Sequence, residues 1–151
     1  MLDAPRRVRG AFDVHSLIGG VRVRREFLLA CARHAARHIR RGAGGISFIL
    51  VGDKDMSRLH KKYLGSARTT DVLAFDLTDN RRNPIDGDIY ICVDQARRQA
   101  RAYGVPLYEE TARLAVHGVL HLAGFRDDTE AQRARMHDLE DRSLDAVRRG
   151  L

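Results

Sequence analysis

Pro106-Leu-Tyr-Glu-Glu-Thr-Ala-Arg-Leu-Ala-Val-His117-Gly-Val-Leu-His121-Leu-Ala-Gly124 is the stretch on which the reading of this chain turns. Pro106 suits the first turn of a helix, where its missing N–H is no loss. Glu109 and Glu110 then lie near the positive end of the helix dipole. Leu114, Ala115, Val116, Val119, Leu120, Leu122 and Ala123 make the helix apolar nearly all round, so it is expected to be buried. It runs to Ala123 and stops at Gly124, which can leave a helix with positive φ.

Outward from this helix the pattern is mixed. Phe12 to Ile18 reads as a first strand, and Arg24 to Arg41 as a helix with Phe27, Leu28, Cys31, Ala35 and Ile39 on its apolar stripe. Ile46 to Val51 is a short apolar strand, followed by a helix from Lys54 to Tyr63 with Asp53 as N-cap. Thr70 to Leu77 and Gly87 to Val93 read as strands, with the polar, Pro84-containing stretch Thr78 to Asp86 as the loop between them. Asp94 to Tyr103 is helical, and a last amphipathic helix spans Thr129 to Arg148. Strands come first and helices gather at the end, so the expected architecture is α+β: one domain over residues 1–151, with several helices packed on a small mixed sheet.

Composition narrows the class. The 44% hydrophobic and 31% charged residues are ordinary for a globular protein of 151 residues. No apolar run approaches the ~18 residues that a membrane-spanning helix needs, the longest being Phe27 to Ala32. Residues 1–10, a basic tail expected to be flexible, carry Arg6, Arg7 and Arg9 without an apolar stretch behind them. No secretory signal is expected there, and the cytoplasm is the expected compartment. Cys31 and Cys92 lie far apart without a CxxC neighbour, which fits two buried reduced thiols. The net charge of +7 suits a polyanionic partner such as RNA, although arginine-rich composition alone has the same effect.

Chemistry concentrates at His117 and His121. Residues at i and i+4 share one helix face, roughly 5–6 Å apart at Cβ, which suits two imidazoles on one ion. Two histidines in a buried helix need polar partners, and a metal ion satisfies both. If the chain turns back after Gly124, Asp127 becomes a third ligand and leaves a fourth tetrahedral position open, as in catalytic zinc sites. Asp127 has a second reading, as N-cap of the last helix with Glu130 three residues on. His137 ranks behind it as a ligand. His34 and His38 share the same spacing, but Arg33, Arg37, Arg40 and Arg41 surround them, so they are expected to be a solvated pair without metal. A His-Glu-x-x-His protease places its base directly after the first histidine; here that residue is Gly118.

Three blocks resemble the YbeY family of metal-dependent rRNA-maturation endoribonucleases: Leu59-His-Lys-Lys-Tyr63 leading into Thr70-Asp-Val-Leu-Ala-Phe75, then Gly87-Asp-Ile-Tyr-Ile-Cys92, then His117 to Asp127. The resemblance covers residues 45 to 145. It implies an α+β fold and a single-strand-specific endoribonuclease in rRNA maturation and ribosome quality control. One zinc ion per chain would sit on His117, His121 and Asp127, with rRNA and the ribosome as partners. Two positions depart from the family. A third histidine is usual where Asp127 stands, and a carboxylate there makes the ion a weaker Lewis acid. An arginine is usual where Leu64 stands, which leaves Arg68, or Lys61 and Lys62, to contact phosphate. These departures keep open a rival, a ribosome-associated RNA- or protein-binding factor whose metal is mainly structural. A third possibility, a hydrolase of peptides, is weakened by Gly118.

Overall fold

A computed structural model describes residues 10–65 and 70–150. Nine elements follow one another: β1 (Phe12–Ser16), α1 (Arg25–Ala36), β2 (Ala43–Val51), α2 (Asp53–Leu64), β3 (Val72–Asp76), β4 (Ile85–Cys92), α3 (Val93–Tyr103), α4 (Leu107–Leu122) and α5 (Glu130–Arg148). The sheet order is β1-β2-β4-β3. β1 with β2 and β2 with β4 run parallel, and β3 lies antiparallel on β4. The expected mixed α+β domain is therefore what forms.

Both faces of the sheet are covered, which is why β2 and β4 are apolar without strict alternation. On one face Val14, Ile46, Phe48, Leu50, Ile89 and Ile91 pack against α1, α4 and α5. On the other, Ile49, Val51, Tyr90 and Cys92 meet Met56 and Leu59 of α2. Helix α4 lies very close to β4. A Cβ on Gly118 would stand 2.6 Å from Ile89 Cγ2, and one on Gly87 would stand 2.8 Å from Leu122 Cδ1. Two glycines, one on each element, permit that approach, and it fixes the height of the histidines above the sheet.

Several expected boundaries move. α1 ends at Ala36 rather than Arg41, because the next residues wind more tightly. The N–H groups of His38 and Ile39 reach back three residues to Ala35 and Ala36 at 3.1 and 2.9 Å. That turn buries Ile39. β4 begins at Ile85, inside the expected loop, since Ile85 pairs with Ala43. Asp53 is the first helical residue of α2 rather than its cap; Gly52 holds the cap position, and Asp94 Oδ2 accepts the Asp53 N–H at 2.8 Å. Pro106 stands one residue before α4 as its N-cap. Cys31 and Cys92 are free and buried, as expected. Among the described residues no helix is long and apolar enough to cross a membrane. Residues 1–9, most of the expected basic tail, lie outside the described residues.

Candidate metal centre

The i, i+4 spacing on α4 places the two imidazoles side by side, with Nε2 of His117 and Nε2 of His121 only 2.9 Å apart. The opposite ring nitrogens are tied down. His117 Nδ1 meets Glu140 Oε2 of α5 at 2.7 Å, and His121 Nδ1 meets the Phe125 carbonyl at 3.1 Å. Both partners are acceptors, so each Nδ1 carries the proton and donates it. In the neutral rings each Nε2 therefore presents its lone pair to the other.

Asp127 arrives at the same point. Its Oδ2 lies 3.3 Å from each Nε2. α4 closes in a Schellman motif: the N–H of Gly124 bonds to the His121 carbonyl and that of Phe125 to the Leu120 carbonyl, both at 3.0 Å. Gly124 takes φ +98°, which a β-carbon would oppose. This motif reverses the chain, and α5 then holds the returning segment. Arg133 Nη1 donates to the carbonyls of Asp127 and Asp128, each at 3.3 Å. The capping reading of Asp127 is corrected here. Thr129 caps α5, its side chain accepting from the Gln132 N–H while Gln132 Oε1 accepts from Thr129 N–H. That capping box leaves the Asp127 carboxylate facing the histidines.

Two nitrogen lone pairs and a carboxylate oxygen, each about 3 Å from the others, repel one another unless a cation lies between them. Ligand atoms 2.0–2.1 Å from a tetrahedral zinc stand about 3.3 Å apart, close to the observed 2.9, 3.3 and 3.3 Å. The trio can thus hold a divalent ion with little rearrangement, and among the described residues it is the one such group. The same charges act on protons. Burial lowers the pKa of His117, but the Glu140 hydrogen bond and charge, followed by Asp71 and Asp127, outweigh it and hold the ring above its ordinary value.

The remaining candidates fall elsewhere. His137 is exposed and only 3.7 Å from Glu140 Oε1, so it touches the support rather than the trio. The expected solvated pair His34 and His38 is instead half-buried, because His34 bonds Ser143 of α5 at 2.9 Å and His38 packs edge-on to Phe125. Gly118 faces Ile89, and a glutamate base has no room there. Leu64 ends α2 at 57% exposure. Arg68 lies outside the described residues. Glu140, Arg133 and the Phe125 carbonyl escaped sequence reasoning. Glu140 had one available signal, an acid among Met136, Leu139 and Leu144 on the buried face of α5. Beside the trio opens a cavity of about 170 Å³, lined among others by Asp71, Glu110, Arg113, His117, Asp127 and Glu140.

Comparison with known proteins shows what this chain is similar to. A family model described as Endoribonuclease YbeY matches residues 23–148. Curated relatives of that name include one from Flavobacterium psychrophilum, 36% identical over 101 residues that make up 67% of this chain and 71% of the relative. Another, from Carboxydothermus hydrogenoformans, is 36% identical over 105 residues, 70% of this chain and 73% of the relative. A third, from Chloroherpeton thalassium, is 37% identical over 102 residues, 68% and 71% of the two chains. A Thermotoga maritima protein solved in solution has a similar fold, with a TM-score of 0.58 and 22% identity over 91% of this chain and 89% of its own. The family match runs from α1 through α5 and takes in all three donors of the trio, and the chain belongs to the YbeY endoribonuclease family.

Proposed function

We propose that this chain is a zinc-dependent endoribonuclease specific for single-stranded RNA, acting in rRNA maturation and ribosome quality control in the cytoplasm. His117, His121 and Asp127 would hold one ion per chain. The observation that carries this is the convergence of two Nε2 lone pairs and a carboxylate beside a cavity that His117 and Asp127 help to line. Two nitrogens and one oxygen are a donor set zinc accepts readily, and three protein ligands leave the open position of a catalytic site. A bound ion would polarise a phosphate oxygen and favour attack by water or the ribose 2′-OH.

The chain's own groups prepare that chemistry. Glu140 and the Phe125 carbonyl orient the two rings, and Arg133 holds the Asp127 segment in place. The net charge of +7 draws a polyanion, and a recessed cavity suits a strand whose bases can splay out of a stack. Arg68 is retained as a phosphate contact on the strength of the resemblance alone. The rival reading, a ribosome-associated binding factor with a structural metal, draws on Leu64, an exposed apolar side chain where the resemblance implies an arginine.

Zinc-loaded protein incubated with single-stranded RNA, beside His121→Ala protein purified identically, separates the two. Cutting by the parent and not by the variant supports the nuclease. Intact RNA with both proteins, over a range of divalent metals, leaves the binding factor.

A further inference from the structure

Helix α4 sets Glu110 seven residues before His117. Two turns place it on the same face, about 10.5 Å along the axis. His117 and Asp127 of the trio line the same cavity as Glu110. α3 supplies Gln99 and Tyr103 to its wall, and α5 supplies Met136. A nucleotide whose phosphate sits at the trio reaches about this far with the Watson–Crick edge of its base.

The far end is built for hydrogen-bond donors. Glu110 is 2% exposed. Gln99 Nε2 donates to its Oε1 at 3.0 Å, and Gln95 Nε2 donates to Gln99 Oε1 at 3.1 Å, so the amide is locked with its NH2 toward the carboxylate. Arg113 is committed elsewhere, to Asp141 at 2.7 Å and Glu140 at 3.3 Å. Among the described residues no cation lies within ion-pair distance of Glu110. Burial raises its pKa in spite of Gln99 and Arg113. A buried carboxylate without an ion pair is costly to keep, and such groups cluster at binding sites. Asp71 adds a second acceptor to the lining, Leu114 and Met136 supply apolar surface, and Tyr103, 68% exposed, offers a ring at the mouth.

Size and charge define the occupant. A cavity of roughly 150 Å³ accepts a benzene ring, and this one measures about 170 Å³ and is partly open. Carboxylates repel a phosphate, so the far end takes the neutral part of a nucleotide. Adenine and cytosine set a ring-nitrogen acceptor beside their amino group, and uracil flanks its one N–H with two carbonyls. Guanine alone presents two adjacent N–H donors and no acceptor between them, the match for a carboxylate.

We propose that this cavity is a base pocket selecting guanine in the nucleotide next to the cleaved bond, read by Glu110 and Asp71. The inference rests on the nuclease reading, but its test is separable from it. GMP, AMP, CMP, UMP and IMP are titrated into the zinc-loaded chain by calorimetry, with GMP expected to bind roughly tenfold more tightly than AMP, CMP or UMP. IMP, which lacks the 2-amino donor, should fall between. Glu110→Gln should bring the GMP/AMP ratio to about one, with zinc content and melting temperature confirming an intact fold. Equal binding of all five by the parent protein overturns the pocket without any variant, as does a GMP preference that survives Glu110→Gln. A protein that prefers GMP yet cuts no RNA refutes the nuclease and not the pocket. One that cuts RNA without discriminating the mononucleotides refutes the pocket alone.

Discussion

Replacing Glu140 by glutamine tests whether the site is held by its supports. Glu140 is 3% exposed and joins two donors, His117 Nδ1–H at 2.7 Å through Oε2 and Arg113 Nη1 at 3.3 Å through Oε1. Glutamine keeps the shape but offers one acceptor oxygen. If that oxygen faces His117, the NH2 group meets the Arg113 guanidinium. If it faces Arg113, the NH2 meets Nδ1 and drives the proton to Nε2, where it blocks the metal lone pair. Both orientations set donor against donor. Partners of this kind are worth about 10- to 100-fold in metal affinity, or ~1.4–2.7 kcal/mol. Arg113 retains Asp141 at 2.7 Å, so the fold should lose only about 1–3 kcal/mol. Competition against a chromophoric zinc chelator reads the affinity, and thermal melting of the metal-free protein reads the fold. Asp141→Asn serves as control, because it removes the other partner of Arg113 without touching His117. Zinc affinity of Glu140→Gln within about twofold of the parent, against the expected loss, with the fold intact, would refute the claim that Glu140 orients His117.

Gly118→Ala should cost about 1–3 kcal/mol by overpacking, since its Cβ would lie 2.6 Å from Ile89 Cγ2; chemical denaturation reads this, and Ile89→Ala in the same chain should recover part of the loss. Asp53 is held below the ordinary carboxylate range chiefly by its Arg98 hydrogen bonds, which outweigh burial. A depressed folded-state pKa gives stability that is present above the unfolded value, about 3.9, and is lost as pH falls through the folded one. Asp53→Asn should therefore destabilise at pH 7, and its deficit should shrink in acid; a deficit independent of pH contradicts the pairing. Zinc at about a thousand times its dissociation constant should stabilise the fold by ~4 kcal/mol. The rise in melting temperature should vanish in His121→Ala, and a rise that persists there places the ion elsewhere.

Much of this molecule is written locally. Hydrophobic period and glycine position alone mark α4, its stop at Gly124 and the strands β2 and β4, because each reports how one segment meets its surroundings. The facing of His117 and His121 follows from helix geometry for the same reason. Tertiary structure decided what needs two segments at once. Whether Asp127 would cap α5 or turn to the histidines depended on Thr129 and Gln132 taking the cap and on Arg133 gripping the segment. Glu140, 23 residues beyond His117, reaches it only because α5 packs across α4. No spacing links residues so far apart. The order β1-β2-β4-β3 and the tight turn after Ala36 also arose from packing. Sequence periodicity reports the face a residue presents, and only the packed chain determines which residue stands opposite.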